Sequence, residues 1–328
     1  MIRIRTPSRV HFGLFSLPSC RDTSWLNQEG QATVPRRNFG GVGLMVEKPG
    51  IEVSVELAER FTAEGPLAER ALHFVQRYRD SVGLRESFHV GVSYAAPEHA
   101  GLGTGTQLGL AIARAVAELT QQPTRDAITL ARHIGRGARS AIGVHGFEQG
   151  GFLVEGGKRN DNSVSPLLCR FDFPWAVFLI FPPHLQGIHG EREREAFAEL
   201  ESAIIAERTT ETMARIVLLG ILPALIESDL DSFGEALYDY NRRSGELFQT
   251  VQKGIYGHPW ITNTVKMIRN LGVKGVGQSS WGPVVFAVVS PLQGMGISDW
   301  LIKKKKSSPE QMILTFPCNR GMTLSTLS

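Results

Sequence analysis

The sequence predicts an α+β protein in two halves, because strand-like and helix-like patterns alternate and a new apolar strand begins midway along the chain. Short apolar runs predict strands at 2–6, 10–16, 42–47, 51–57 and 87–94. Helical spacing of apolar residues follows at 66–82, 106–120 and 124–138. The run WAVFLIFP at 175–182 predicts a strand buried on both faces, with helical patterns after it at 191–218 and 230–252. We therefore expect two domains, 1–168 and 169–328.

A glycine-rich passage, EHAGLGTGTQLG at 98–109, lies directly before the helix predicted at 106–120. Gly101, Gly103 and Gly105 carry no side chain that would keep a ligand from the backbone amides, and Thr104 and Thr106 are expected to cap the first turn. The free N–H groups and the dipole of a helix N-terminus favour phosphate or pyrophosphate. The alternative is a tight turn between strand and helix that binds nothing.

Composition and charge exclude several classes of protein. A formal charge of +3 over 328 residues, without a basic stripe interleaved with aromatic residues, does not indicate a nucleic-acid partner, and Lys303–Lys306 is expected to be a solvated helix end. The three cysteines, Cys20, Cys169 and Cys318, are too few and too far apart to indicate disulfides or a zinc site. The first residues lack a signal-peptide pattern and no run of 18 apolar residues is present, so we expect a cytoplasmic protein without a membrane segment.

Four clusters contain more polar and cationic side chains than a structural role requires. Each has a structural alternative, such as a solvated arginine, a core histidine or a turn with a packing tryptophan. Together they predict a site for a phosphorylated substrate and a ring. The clusters are Ser8, Arg9 and His11 with Arg36 and Arg37; the loop at 98–109; Arg136, Arg139, Ser140, His145 and Glu148; and Gln278, Ser279, Ser280 and Trp281 in GQSSWGP at 277–283.

The order SRVHFGL, PEHAGLGTGTQ and GQSSWGP resembles the three motifs of the GHMP kinase superfamily. The resemblance implies a ribosomal S5-like N-terminal half and a ferredoxin-like C-terminal half. It also implies that the middle motif surrounds phosphate groups, as it surrounds those of ATP in the kinases. Two departures stand out. Thr104 and Gly105 replace two serines, and Gly143 stands where kinases of the pattern Ser-Gly-Ile-Asp have their catalytic Asp.

A closer resemblance, spread from residue 8 to 283, is to the β-ribofuranosylaminobenzene 5′-phosphate synthase family of methanopterin synthesis. It implies that 5-phosphoribosyl-1-pyrophosphate condenses with 4-aminobenzoate, or with 4-hydroxybenzoate, and that pyrophosphate and carbon dioxide are released. It also implies Mg²⁺ with the pyrophosphate and no organic cofactor, and we expect a homodimer. GRGARSAIGVHGFEQGGFLVEGGK and EREREAF contribute to the match.

The resemblance also suggests a role for each polar cluster. We assign the leaving pyrophosphate to Arg136 and Arg139, as catalytic residues, and to the loop residues Gly103, Thr104, Gly105 and Thr106. We assign the 5′-phosphate or the carboxylate to Arg9, His11 and Arg37, the aromatic acid to Ser279, Ser280 and Trp281, and the metal to Glu148 as a catalytic residue. Further substrate-binding residues are expected at Gly101, Gln107, Ser140 and Gln278.

Two other functions remain possible from the sequence alone. A small-molecule kinase of the same superfamily would use ATP and would need its base elsewhere in the chain. A regulator without catalytic activity would bind the ligand and not turn it over. The segment 18–35 is expected to be a polar loop whose role the sequence does not define.

Overall fold

The computed structural model describes residues 1–17, 37–123, 125–160, 163–183, 187, 191, 195–196, 198–200, 209–304 and 306–327. The predicted loop at 18–35, Arg36 and much of the predicted helix at 191–218 lie outside these residues, as does most of EREREAF.

The strands of the first half and one strand near residue 325 form one sheet, which has seven strands within the described residues. Five of them lie in the order β11-β1-β2-β4-β3; β5 pairs with β2, and β6 pairs with β5. Its strands are β1 (Ile2–Leu14), β2 (Gly41–Ala58), β3 (Thr62–Glu64), β4 (Ser87–Tyr94), β5 (Phe152–Glu155), β6 (Leu167–Phe171) and β11 (Thr323–Thr326). Four helices cover one face: α1 (Ala68–Val82), α2 (Thr104–Leu119), α3 (Ala127–His133) and α4 (Ile142–Gln149).

The second half is a ferredoxin-like unit. Its four antiparallel strands have the order β10-β7-β9-β8 within the described residues, which is the 4-1-3-2 order of a split βαβ motif. The strands are β7 (Ala176–Ile180), β8 (Gly275–Gln278), β9 (Val285–Val289) and β10 (Met312–Thr315). The helices are α5 (Thr209–Ile216), a π-helical turn (Val217–Ile221), α6 (Leu222–Ile226), α7 (Leu230–Leu247), α8 (Gln249–Gln252), α9 (Pro259–Asn270) and α10 (Pro291–Lys303); a 3₁₀ turn (Pro309–Gln311) precedes β10.

An apolar core joins the two halves. The face of the first sheet opposite α1 and α2 packs through Phe12 and Phe152 against Phe233, Tyr240 and Phe286 of the second half. Because this core is continuous, side chains from both halves are held in fixed positions where the sheets meet. Beyond it, α9 and α10 cover the outer face of the second sheet.

Thr209–Ile226 is the one helical segment in the described part of the chain that is long and apolar enough to cross a membrane. Met213, Val217 and Ile221 bury one face of it in the core between the halves. The sequence prediction looked for an unbroken run of 18 apolar residues and therefore did not single out this segment, which contains Glu211 and Arg215.

Several sequence predictions require correction. The strands at 2–6 and 10–16 are one strand, as are those at 42–47 and 51–57, because β-bulges keep the pairing of β1 with β2 continuous. The glycine-flanked run FEQGGFLVEGG at 147–157 has the sequence pattern of a hairpin, but this prediction is wrong: its first residues end α4, and β5 pairs with β2 and β6. The predicted boundary at 168/169 falls inside β6, and β11 returns to the first sheet.

Candidate active site

A cavity of about 300 Å³ lies where the two halves meet. Arg9, His11 and Gly13 of β1 form its floor, and Thr106 of α2 stands at one end. The segment from Gly135 to Ser140 forms one wall. The other wall comes from the second half and includes Asn241, Ser244, Gly245, Phe248, Gln252, Ile255, Tyr256, Gln278, Ser280 and Trp281. Among the described lining residues there are three arginines and no carboxylate.

The loop before α2 is shaped by glycines in the left-handed region. Gly101 has φ +88° and Gly103 has φ +72°, conformations that L side chains rarely adopt. Gly103 is the N-cap of α2 and no side chain caps it, so the predicted capping by Thr104 and Thr106 is wrong. Instead the Thr104 hydroxyl donates to the Pro97 carbonyl oxygen at 2.9 Å. The first turn of the helix is thereby left without a side-chain acceptor among the described residues, as an anion site requires.

A serine from the third motif connects all three glycine-containing motifs. The Ser279 hydroxyl accepts from the His11 backbone N–H at 3.0 Å and donates to the Gly101 carbonyl oxygen at 2.7 Å. The Ser280 N–H donates to the His11 carbonyl oxygen at 3.1 Å. Ser279 is fully buried and is not part of the cavity surface. Its hydrogen bonds join backbone groups of the other two motifs, and its binding to substrate stays a prediction.

Two arginines converge on the first turn of α2. The guanidinium groups of Arg136 and Arg70 lie 5.1 and 5.9 Å from the centre of the Phe74 ring. A side chain at Gly105 would meet both groups. Arg70 also forms an ion pair with Glu98. Positive charge is therefore concentrated at the helix N-terminus, where a phosphate oxygen would be favoured.

Part of the cavity lining is aromatic and apolar. The rings of Phe248 and Trp281 meet edge to face with centroids 5.0 Å apart, and Leu14, Ile255 and Tyr256 also line the cavity. The Asn241 side chain, which also lines the cavity, is occupied by the fold: its amide nitrogen donates to the Phe12 and Gln278 carbonyl oxygens and its amide oxygen accepts from the Gln278 N–H. Flat apolar walls of this kind fit an aromatic ring.

A buried carboxylate lies behind the cavity wall. His11 and Ser140 both line the cavity, and the His11 Nε2 is 3.0 Å from the Ser140 hydroxyl. The Ser140 hydroxyl donates to the Glu155 carboxylate at 2.5 Å, and the Ala141 N–H donates to the other Glu155 oxygen at 2.7 Å. Burial raises the pKa of Glu155 to about 7, and burial and Arg9 lower the pKa of His11 well below its usual value.

The structure brings about half of the predicted site residues to the cavity surface. Those that line it are Arg9, His11, Thr106, Arg136, Arg139, Ser140, Gln278, Ser280 and Trp281. Gly101, Gly103 and Gly105 form the adjoining loop, while Thr104, Gln107 and Ser279 are buried supports beneath it. Gln107, for instance, donates to the Gly143 carbonyl oxygen at 2.7 Å.

Two predicted residues lie elsewhere. Arg37 donates to the Gly157 carbonyl oxygen at 2.9 Å and does not line the cavity. Glu148 is exposed and accepts from the Ala127 N–H at 2.9 Å, at the start of α3, so the prediction that it is a catalytic metal ligand is not supported by its position. Both make local contacts to the backbone, Glu148 at the start of α3, and a sequence motif does not reveal such contacts.

Sequence reasoning missed Glu155, Arg70 and the wall from α7. Glu155 has a signal that was available: it is the one acidic residue in the apolar run FLVE of β5. A charged residue at a fully buried position is rare unless it is paired. Arg70 and Phe248 carry no comparable signal, because arginines and phenylalanines are common on helices.

Changing Gly105 to valine tests whether the arginines at α2 bind the substrate. Gly105 lies in the helix and its φ is not positive, so the backbone tolerates a side chain. The new side chain would displace Arg70 and press on Arg136. We expect a large loss of activity with a small change in melting temperature.

Gly296→Val is the matched control, because Gly296 is also helical and has open space around it. Steady-state kinetics beside thermal unfolding would measure both variants. Near-normal activity of the Gly105 variant would show that these arginines do not hold the anion.

Known proteins resemble this chain over most of its length. The family model described as GHMP kinases N terminal domain matches residues 66–154, and GHMP kinases C terminal matches 221–313. A beta-ribofuranosylphenol 5'-phosphate synthase from Methanothermobacter thermautotrophicus is 33% identical over 315 residues and covers 89% of each chain. Its namesake from Archaeoglobus fulgidus is 32% identical over 345 residues, 99% of each chain.

Solved structures share the fold at low sequence identity. A homoserine kinase from Cytophaga hutchinsonii has a TM-score of 0.66 at 18% identity, covering 99% of this chain and 97% of that one. The mevalonate diphosphate decarboxylase from Enterococcus faecalis has a TM-score of 0.63 at 12% identity, covering 99% of each.

The fold and the cavity between its halves thus define a small-molecule enzyme of the GHMP kinase superfamily. The full-length similarity is more specific. The chain belongs to the family of β-ribofuranosylphenol 5′-phosphate synthases. The resemblance inferred from the sequence motifs is confirmed, and so is the expectation of a transferase-type enzyme.

Proposed function

We propose that the enzyme condenses 5-phosphoribosyl-1-pyrophosphate with a 4-substituted benzoate and releases pyrophosphate and carbon dioxide. The lining of the cavity carries this proposal: it combines Arg9, Arg136 and Arg139 with the aromatic side chains of Phe248 and Trp281. The arginines suit a polyanion and the aromatic side chains suit a ring. The relatives are named for a phenol product, which favours 4-hydroxybenzoate as the acceptor, with 4-aminobenzoate as the analogue.

The reaction balances without a net proton transfer. The ring carbon that carries the carboxylate attacks C1 of the ribose, and the bond from C1 to the pyrophosphate oxygen breaks with its electron pair on that oxygen. The bond from the ring to the carboxylate carbon then breaks, its electrons restore the aromatic ring, and carbon dioxide leaves. No step removes a proton from the attacking carbon.

The cavity residues supply what this chemistry needs. In the proposal, Arg136, Arg139 and the start of α2 bind the pyrophosphate and stabilise the negative charge that develops on it. Phe248 and Trp281 hold the ring against the sugar and exclude water from the reactive centre. Arg9 also lines the cavity, beside the loop that holds Gly101 and Gly103, and in the proposal it meets the 5′-phosphate or the carboxylate.

The glycine at position 143 argues against a kinase reaction. Gly143 lies beside Thr106 and Arg9, so a side chain there would face the cavity, but glycine offers no carboxylate. A phosphoryl transfer to an alcohol generally uses a carboxylate that accepts the hydroxyl proton. The decarboxylating reaction has no such requirement, which agrees with the glycine.

The described residues do not form a protein site for Mg²⁺. The lining residues in the described part of the chain include no carboxylate, Glu148 is on the surface, and both oxygens of Glu155 already accept hydrogen bonds. Mg²⁺ prefers carboxylates and phosphates as ligands. We therefore place the expected cation on the pyrophosphate of the substrate. Titration of the protein with Mn²⁺ should show no binding until phosphoribosyl pyrophosphate is added.

Release of labelled carbon dioxide tests the function. The enzyme is incubated with phosphoribosyl pyrophosphate and 4-hydroxybenzoate labelled in its carboxyl group, and in parallel with the 4-amino compound. We expect carbon dioxide and pyrophosphate in equal amounts, and no ADP when ATP replaces phosphoribosyl pyrophosphate. Formation of ADP with an alcohol, and no carbon dioxide, would favour the kinase; binding without either product would favour a regulator.

The homodimer and the cytoplasmic location remain proposals. Leu218, Leu219 and Ile226 are more than half exposed on the helical segment Thr209–Ile226, which supports an apolar contact there. Light scattering during size-exclusion chromatography would give the mass in solution.

A further inference from the structure

We propose that Glu155 is a positioning residue whose ionised carboxylate, acting through Ser140, holds the arginine-bearing segment 135–140 and orients His11 at the cavity floor. This inference deepens the proposed function and rests on it for the identity of the substrate. It concerns a residue that does not touch the cavity itself.

The hydrogen bonds in this cluster run in one direction. The Gly13 N–H donates to the His11 Nδ1 at 3.2 Å, which places the proton of the neutral imidazole on Nε2. The Nε2–H therefore donates to the Ser140 hydroxyl at 3.0 Å, and that hydroxyl donates to the Glu155 carboxylate. Glu155 must accept at this end of the chain, and the ionised form accepts best.

The second oxygen of Glu155 fixes the adjoining helix. It accepts from the Ala141 N–H at 2.7 Å, and Ala141 is the N-cap residue of α4. A negative charge is favourable at that end of a helix. One buried carboxylate thus anchors both the last residue of the arginine segment and the start of the helix that follows it.

Charged and titratable groups approach Glu155 from several elements. Arg9 and His11 face it from β1, and the Tyr240 hydroxyl on α7 is close enough that Glu155 helps raise the pKa of Tyr240. His145 of α4 bonds the carbonyl oxygen of Ser165, a residue that also contacts Glu155. Gly41 of β2 and Leu167 of β6 lie opposite Glu155 on the neighbouring strands, and neither residue has a titratable side chain.

The ionised carboxylate weakens folding, so a stabilising role alone does not explain its presence. The pKa of Glu155 is raised from 4.5 to about 7 in the folded protein. Its contribution to stability is therefore greatest below pH 4.5 and is lost as pH rises through 7. The form that orders the cavity wall is the one that is less favourable for folding.

Replacing Glu155 by glutamine tests the proposal through the pH profile. We expect kcat/KM for phosphoribosyl pyrophosphate in the native enzyme to fall as pH drops below 7, because protonated Glu155 loses an acceptor. Glu155→Gln should lower kcat/KM about tenfold or more at pH 8 and flatten this acid limb. Ser140→Ala should do the same, while Ser140→Thr, which keeps the hydroxyl, should restore most of the activity.

Glu52→Gln is the matched control. Glu52 is also a buried carboxylate of the first sheet, but it pairs with Arg5 away from the cavity. We expect its replacement to change stability and to leave the acid limb in place. An unchanged rate and acid limb in Glu155→Gln would overturn the proposal. If that variant fails to fold, an unchanged limb in Ser140→Ala would overturn it equally.

Pyrophosphate binding separates this proposal from the proposed function. Calorimetry with inorganic pyrophosphate reports on the arginine segment without any benzoate. Suppose that the native protein turns over no benzoate, that its affinity for pyrophosphate falls as pH drops below 7, and that Glu155→Gln removes this fall. The proposed function then fails and the role of Glu155 stands. If turnover is normal and both profiles are identical in the variant, the role of Glu155 fails alone.

Discussion

Replacing Arg136 by alanine is expected to lower kcat/KM for phosphoribosyl pyrophosphate by about 10²–10³. Arg136 lines the cavity and its guanidinium stacks on Phe74 beside the first turn of α2. In the proposed reaction it stabilises charge that appears on the leaving pyrophosphate, so its loss weakens the transition state more than the bound substrate. Steady-state kinetics should therefore show the larger change in kcat.

Arg132→Ala is the control for this substitution. Arg132 is an exposed residue in the last turn of α3, close in sequence and outside the cavity. Its removal should leave the kinetics unchanged. Equal rates for Arg136→Ala and the native enzyme would move the pyrophosphate away from the start of α2.

Leu108→Ala should lower the free energy of unfolding by about 2–5 kcal/mol, the range for a large-to-small change in a core. Leu108 is fully buried in α2 and belongs to the core between the first sheet and its helices. The helical spacing of the sequence predicts this burial, and the structure confirms it. Urea unfolding followed by circular dichroism measures the change.

Leu57→Ala provides the comparison, because Leu57 in β2 is 57% exposed. Substitutions at exposed positions usually change stability by less than about 0.5 kcal/mol. If the two variants unfolded at the same urea concentration, the cavity left at Leu108 would have been filled by rearrangement of its neighbours.

Local patterns determine much of this fold. The strand at 87–94 and the helix near 66–82 are found almost as predicted, since each has a clear period and clear ends. Helix α4 was not predicted because IGVHGFEQ contains two glycines, which disfavour a helix. It forms because Ile142, Val144 and Phe147 are fully buried, so tertiary packing outweighs the local preference.

The candidate site, like the fold, could be predicted only in part from local sequence patterns. Arg136 and Trp281 were predicted because each lies among glycines, and Arg9 because it stands in a polar and cationic cluster with Ser8 and His11. Phe248 was not, because its relation to Trp281 depends on how α7 packs on the first sheet. A single sequence indicates which residues are chemically unusual, whereas the pairing of distant residues comes only from the assembled fold.

The strand β11 has a consequence for the order in which the protein can be completed during translation. It pairs with β1 from Ile2 to Arg5, although it is made after every other strand described. On the ribosome, β1 therefore emerges first and keeps an unpaired edge until β11 follows, a state that invites pairing with other chains. The strand that continues to Arg9 and His11 is thus left open at Ile2–Arg5 until the last of the described strands has been made.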